Sequence, residues 1–201
     1  MSGQPSRAAR RQVFLNIPYS ASYERIFVAL TVALVALGRI PRLTFEVADG
    51  GQGRLKRIFS LLKACPVSIH DLSYVGRPGR FNMPFELGLA CAIKEQTGRH
   101  DFLMLEKKDH RLDRTLSDLK GIDPKIHHGR PTEAIIAVLE VLERPKGNPA
   151  VADVHDLYRE VIRLVPELKR EHHRDSLFGS RIYQALVTLI RVLAEKRGLL
   201  P

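Results

Sequence analysis

The run Arg80-Phe81-Asn82-Met83-Pro84-Phe85-Glu86-Leu87-Gly88-Leu89-Ala90 holds the chain's best candidate for chemistry, a carboxylate near the start of a helix. Asn82 is a residue type that caps the first amides of a helix. Pro84 is tolerated in the first turn, where its missing N–H would have no partner anyway. Glu86 then falls about one turn in, where free amides and the helix dipole favour an ionised carboxylate. Residues 87–93 are all small or apolar, which predicts a heavily buried helix. A fixed, ionised carboxylate can stabilise or trap a developing positive charge. Glutamates also occur in first helical turns for purely local reasons, so the residues brought around Glu86 must decide between the two.

The elements that would position it alternate along the chain. Residues 13–17 form a short apolar run ended by Pro18, read as a buried strand, and a polar loop leads into a helix over 23–38 with Ser22 as cap and Gly38 as stop. A second strand is expected over 43–47, a helix over 52–64, a third strand over 67–70 and a fourth over 102–105. A small segment at 116–119 follows. An edge strand over 122–126 would tolerate Pro124, and an amphipathic helix over 132–142 begins after Pro131. This alternation predicts an α/β, flavodoxin-like three-layer fold with a mostly parallel five-stranded sheet. After a Pro/Gly-rich linker come two amphipathic helices, 151–172 (with a kink expected at Pro166) and 176–197. The expected organisation is a mobile basic tail (1–11), the α/β domain (12–144), a linker (145–150) and a C-terminal helical hairpin (151–201). The hairpin's apolar stripe must meet either the α/β domain or a second copy of itself.

The 201 residues are 44% hydrophobic, enough for a real core. The charge of +10, from 32 Lys+Arg against 22 Asp+Glu, is spread along the chain with no intensely basic block. A nucleic-acid partner is therefore not favoured, although phosphates would be attracted. Cys65 and Cys91 lie in apolar contexts without a CxxC partner and read as buried free thiols of a reducing compartment. The longest apolar run, 26–37, is too short to span a bilayer. The basic N-terminus lacks the h-region of a signal peptide, so a cytoplasmic protein without a membrane partner is expected. His127-His128 and His172-His173 lack metal-ligand spacing and read as solvated, so no metal is expected. Gly50-Gly51-Gln52-Gly53 lacks the residues of a phosphate loop, and Ser20 and Ser22 have no His/Asp partners.

In a flavodoxin-like order the loops after the first and third strands converge at one crevice with the helix of Glu86. The residues there resemble two families. Val13-Phe14-Leu15-Asn16-Ile17-Pro18-Tyr19-Ser20 resembles the opening strand and loop of Toll/interleukin-1 receptor (TIR) domains. Ser68-Ile69-His70-Asp71-Leu72-Ser73 followed by Asn82-Met83-Pro84-Phe85-Glu86-Leu87-Gly88-Leu89-Ala90 is similar to the nucleoside 2-deoxyribosyltransferases. The resemblance covers roughly residues 13–142. It departs from the TIR pattern in having no Trp, and from the transferases in placing Pro18-Tyr19 where a small-residue loop is usual.

The resemblance implies a catalytic Glu86, the nucleophile in the transferases and a support for nicotinamide loss in NAD-cleaving TIR enzymes. It implies substrate contacts from Pro18, Tyr19, Tyr23, Asp71, Arg80 and Asn82. Asp71 would accept from ribose hydroxyls, Asn82 and Tyr19 would orient sugar or base, and Arg80 would meet a phosphate. Tyr19 and Tyr23 read equally well as packing residues, and Asp71 as a turn residue. The expected partner is a nucleoside or dinucleotide, with NAD as a candidate substrate and no separate cofactor, acting in a homo-oligomer. NAD depletion in bacterial defence is the implied role. The alternative is a non-catalytic TIR-like module that senses a nucleotide or assembles through the C-terminal helices.

Overall fold

Val13, Phe14 and Leu15 are apolar on both sides of a strand, which only a sheet covered on both faces can bury. The computed structural model describes residues 6, 8–46, 53–74, 81–112, 116, 121–145 and 147–200. Strands β1 (Gln12–Asn16), β2 (Ile40–Arg42), β3 (Val67–Asp71), β4 (Asp101–Glu106) and β5 (Lys125–Ile126) form one parallel sheet ordered β2-β1-β3-β4-β5. Val13 lies opposite Pro41, Leu15 opposite Ile69, His70 opposite Met104 and Leu105 opposite Lys125. This is the flavodoxin-like order, and its reversal falls between β1 and β3.

The helices among the described residues are α1 (Glu24–Ala36), α2 (Arg54–Ala64), α3 (Asn82–Thr97), α4 (Pro131–Val141), α5 (Val151–Glu171) and α6 (Ser180–Lys196). Alternate side chains of β1 divide the core. Val13 and Leu15 pack with α1, α4, α5 and α6, whereas Phe14 packs with Ile58, Leu61 and Leu62 of α2 and Ala90 and Ile93 of α3. Helix α1 is apolar all round from Ile26 to Ala36 and is buried all round. The sheet covers one side, α4 a flank, and the α5–α6 pair the outside. Its one polar core residue, Thr31, donates its hydroxyl to Phe27 O at 2.8 Å, so no group is left unpaired. The hairpin's apolar stripe therefore meets α1.

Several boundaries differ from the sequence expectation. The second strand is Ile40–Arg42 rather than 43–47, and Thr44–Glu46 form a 3-10 turn; Val47 lies outside the described residues. Pro41 sits inside β2 because β2 is the sheet edge, where a missing N–H costs no ladder bond. The fifth strand keeps only Lys125–Ile126, directly after Pro124. Helix α1 starts at Glu24, after a 3-10 turn over Ala21–Tyr23, and Ser20 and Ser22 bond each other rather than capping it. Helix α5 runs through Pro166, and α6 starts at Ser180 because residues 176–179 are a docked turn. Helix α3 is buried on one face only (Met83, Glu86, Leu87, Ala90 and Ile93), with Gly88 and Ala92 exposed. The heavily buried helix is α1.

The segments read as tail and linker also make contacts. Ala9–Arg11 form a 3-10 turn from which the Arg11 side chain donates to Gly38 O, while residues 1–5 and 7 lie outside the described residues. Asn148 Nδ2 donates to Leu139 O (2.6 Å) and Leu142 O (2.8 Å), closing the end of α4. Arg144 Nη1 ties Ala36 O to Leu199 O at 3.2 and 2.8 Å. Cys65 is buried and Cys91 half-buried, both as free thiols. No helix among the described residues is long and apolar enough to cross a membrane.

Candidate functional site

Asn16 ends β1 as a polar residue after an apolar run, and a buried amide must find partners. It is almost fully buried and donates through Nδ2 to His70 Nδ1 (2.9 Å) at the end of β3 and to Met83 O (3.3 Å) in the first turn of α3. One side chain thus ties the two strands at the reversal to the helix that carries Glu86.

Glu86 is the fifth residue of α3 and 3% exposed. The cap position is taken by Phe81 in helical geometry with no side-chain bond, so Asn82 lies inside the helix and does not cap it. The Asn82 side chain instead donates to Met83 Sδ at 3.7 Å and lies one turn before Glu86, whose ionised form it favours. By Phe85 the amides are already claimed, Phe85 N donating to Phe81 O at 3.2 Å, so the free amides of the helix start do not reach Glu86. Burial is the dominant influence and raises the Glu86 pKa, which the Arg54 charge and the neighbouring Asn82 amide offset only in part. The expectation of a carboxylate held ionised by the helix start is corrected accordingly.

Two further groups border Glu86. Arg54, the first residue of α2, brings Nη2 to 3.7 Å from Glu86 Oε1. Tyr19, half-buried after β1, shares a hydrogen bond with Thr44 Oγ1 at 2.9 Å. Its ring stacks on Phe178 (centroids 5.2 Å apart, 28°) and meets the edge of Phe45 at 5.4 Å. Burial pushes the Tyr19 pKa up to about 12, and the charges of Arg54 and Glu86 both act on it. Tyr19, Arg54, Asn82 and Glu86 thus lie near one another at the carboxyl end of the sheet, where a doubly wound strand order opens its crevice.

Asp71 and Tyr23 meet elsewhere, beneath the loops. Asp71 is 0% exposed. Its carboxylate accepts from the Tyr23 hydroxyl, from Ser73 N (2.8 Å) and from His127 Nε2 (3.0 Å). Gly129 N–H donates to His127 Nδ1 at 2.9 Å, which leaves the ring proton on Nε2 for Asp71. Burial alone would raise the Asp71 pKa, but the His127, Ser73 and Tyr23 bonds outweigh it and the pKa is lowered. His127, expected to be solvated, is therefore a buried anchor, whereas His128 beside it is exposed and pairs with Asp109 at 3.0 Å. Next to this cluster Arg111 grips the fully buried Glu106 through both Nε and Nη2 and donates to Leu72 O at 2.6 Å, fixing the end of β4 to the loop after β3. Pro18 is buried in the turn that delivers Tyr19, and Arg80 lies outside the described residues.

Sequence reasoning missed Arg54, Asn16, Thr44, His127 and Phe178. Asn16 carried a readable signal, a polar side chain closing a buried strand. Arg54 looked like one of several cations spaced around α2. Phe178 reaches Tyr19 across the whole chain, a contact no local pattern encodes.

Fold and site together define an open parallel α/β protein with a buried carboxylate at its strand-order reversal. No protein-family model matches the chain, and no curated protein matches it either.

Proposed function

We propose that the protein cleaves or transfers an N-glycosidic bond of NAD, a nucleoside or a nucleotide, with Glu86 as the carboxylate beneath C1′. The carrying observation is the 3% exposed Glu86 at the β1/β3 reversal, bordered by Arg54 and Asn82 and within electrostatic reach of Tyr19. As the C1′–N bond breaks, its electron pair leaves with the base and positive charge develops on the ribosyl ring. A desolvated carboxylate stabilises that charge more strongly than one in water, or captures C1′ as an ester that water or a second base then opens. From NAD the nicotinamide departs neutral, so a strong general acid is not required. Arg54 and Asn82 support the reactive, ionised form of Glu86 against its burial. The Tyr19–Phe178–Phe45 group offers aromatic surface for the base.

The test is incubation of the purified full chain with NAD and, separately, with nucleosides plus free bases, with products followed by chromatography. Turnover is expected from the intact chain, with a loss of about a thousand-fold or more in Glu86→Gln, comparable to removing a key electrostatic group. Activity should rise with pH as Glu86 ionises, with its midpoint above the ordinary glutamate value because its pKa is raised. Turnover retained in Glu86→Gln rejects the mechanism. A second reading, a docking module without catalysis, draws on Phe81 and Phe85, which stand 78% and 55% exposed one turn apart beside the same carboxylate. Absence of turnover on every substrate supports it.

A further inference from the structure

Arg54 is held unlike the structural arginines of this protein. Arg111 and Arg144 each make several hydrogen bonds of ordinary length, to Glu106 and Leu72 O and to Ala36 O and Leu199 O respectively. Arg54 approaches Glu86 at 3.7 Å, beyond hydrogen-bond range, and its side chain is 57% exposed while that of Glu86 is 4% exposed. Its guanidinium donors make no hydrogen bond among the described residues. An ion pair this loose and this exposed on one side stabilises the fold little. Arg54 also opens α2, so the positive end of the helix adds to its charge. The residue is thus a cation at the crevice mouth, near the buried carboxylate yet with its planar fork of donors open.

We propose that Arg54 reads phosphate: it pairs with Glu86 in the empty crevice and turns to the 5′-phosphate of a bound nucleotide. The inference rests on the reading of Glu86 as the carboxylate beneath C1′, and it selects phosphorylated ribosyl substrates over free nucleosides. A sugar held with C1′ over Glu86 carries its 5′-phosphate within the sweep of a long side chain rooted at the crevice edge. The guanidinium fork matches two phosphate oxygens, a stronger arrangement than the long contact it gives up. When Arg54 turns away, Glu86 loses its counter-charge at the moment substrate arrives, and the cation developing at C1′ takes that place.

The experiment compares nicotinamide mononucleotide with nicotinamide riboside, and adenosine 5′-monophosphate with adenosine, on the intact full chain, Arg54→Gln and Arg54→Lys. The readout is the ratio of kcat/KM for the phosphorylated over the unphosphorylated member of each pair. Because kcat/KM is referred to the free enzyme, in which both members meet the same Glu86, the ratio cancels the effect of Arg54 on the ionisation of Glu86 before substrate binds. The intact protein should favour the phosphorylated member, and Arg54→Gln should reduce the ratio by about ten-fold to a hundred-fold, as expected for a lost charge-assisted hydrogen bond. Arg54→Lys should fall between, keeping the charge without the fork. An unchanged ratio in Arg54→Gln overturns the inference while leaving the glycosidic reading intact. If no substrate is turned over, the glycosidic reading fails and calorimetric binding of the same compounds decides the inference alone. Binding of adenosine 5′-monophosphate over adenosine that is lost in Arg54→Gln supports it. Equal binding, or none, overturns it.

Discussion

Two buried carboxylates at the same end of the sheet are driven in opposite directions, and their partners explain why. Asp71 receives three hydrogen bonds and its pKa falls despite burial, whereas Glu86 has only a neighbouring Asn82 amide and a distant guanidinium, and its pKa rises. Asp71 therefore behaves as structure, and Glu86 as a group whose charge is held at a cost. A third buried set runs beneath them. His100 Nδ1 donates to Cys65 O (2.9 Å), so its Nε2 accepts from Ser68 Oγ (2.8 Å). Ser68 in turn accepts from His70 Nε2 (2.8 Å), and His70 Nδ1 accepts from Asn16. With both rings neutral, each ring nitrogen makes one hydrogen bond and Ser68 Oγ both donates and accepts, and a proton added to either ring breaks the series. Burial, reinforced by the charge of His100, lowers the His70 pKa to about 3, and burial lowers that of His100 as well. Because these folded-state values lie below the unfolded 6.5, the unfolded chain binds more protons in that window. The stabilisation is complete above pH 6.5 and is lost as pH falls towards the folded-state values. Urea denaturation followed by circular dichroism should show stability falling below pH 6.5, by about 1.4 kcal/mol per pH unit from His70, with His100 adding to the fall. A flat profile from pH 7 to 5 contradicts the neutral chain.

At the scale of elements, legibility in the sequence followed how local the cause was. The apolar run of α1, the proline opening α4 and the stripe of α5 gave those helices to within two residues, and the stripe of α6 gave all but its start, since periodicity is local. Strand β2 was misplaced because Pro41 repels a strand assignment everywhere except at an edge, and edge status is a property of the sheet. The crevice was half legible: Glu86, Asn82 and Tyr19 came from loops that any doubly wound order brings together. Arg54 and Phe178 depended on side-chain reach. Phe178 shows how that reach is fixed. Glu24, opening α1, accepts from Lys169 Nζ (2.6 Å) and from Leu177 N (2.8 Å), pinning the α5–α6 turn so that Phe178 lies on Tyr19 and Phe27. Glu24→Ala should cost about 1–3 kcal/mol, because it leaves the Leu177 amide without its acceptor and the part-buried Lys169 ammonium with Asp175 O alone. Phe178→Ala should cost about 2–4 kcal/mol through lost packing. If the pin positions the ring, the double variant should cost less than the sum of the two by more than about 0.5 kcal/mol. Strict additivity in a denaturation cycle means that the ring holds its place unaided.

At the scale of the whole molecule, composition marks a boundary near residue 145 and packing erases it. Val154, Leu157, Tyr158, Val161 and Val165 of α5 share one cluster with Ile182, Tyr183, Leu186 and Ile190 of α6 and with Phe27, Leu30 and Leu34 of α1. Asn148, in the segment read as a linker, and Arg144, just before it, are hydrogen-bonded to both sides of it. The apolar stripe that the sequence left open to a second copy is taken up within the chain, so any self-association must use another surface. Each fully buried large side chain in the cluster contributes about 1.5–3 kcal/mol relative to exposure, against a net stability of about 5–15 kcal/mol for a domain. Losing the hairpin removes several such contributions and uncovers a helix that has no polar face to offer to water. A chain ending at Asn148 should therefore fail to unfold cooperatively and should aggregate, while the full chain unfolds in one transition by circular dichroism and calorimetry. The same truncation should displace Tyr19, which loses Phe178, so restoring solubility by other means should not restore ligand binding. A truncated chain that is monomeric, unfolds cooperatively and binds as the full chain does makes the hairpin an appendage, and the crevice would then owe nothing to it.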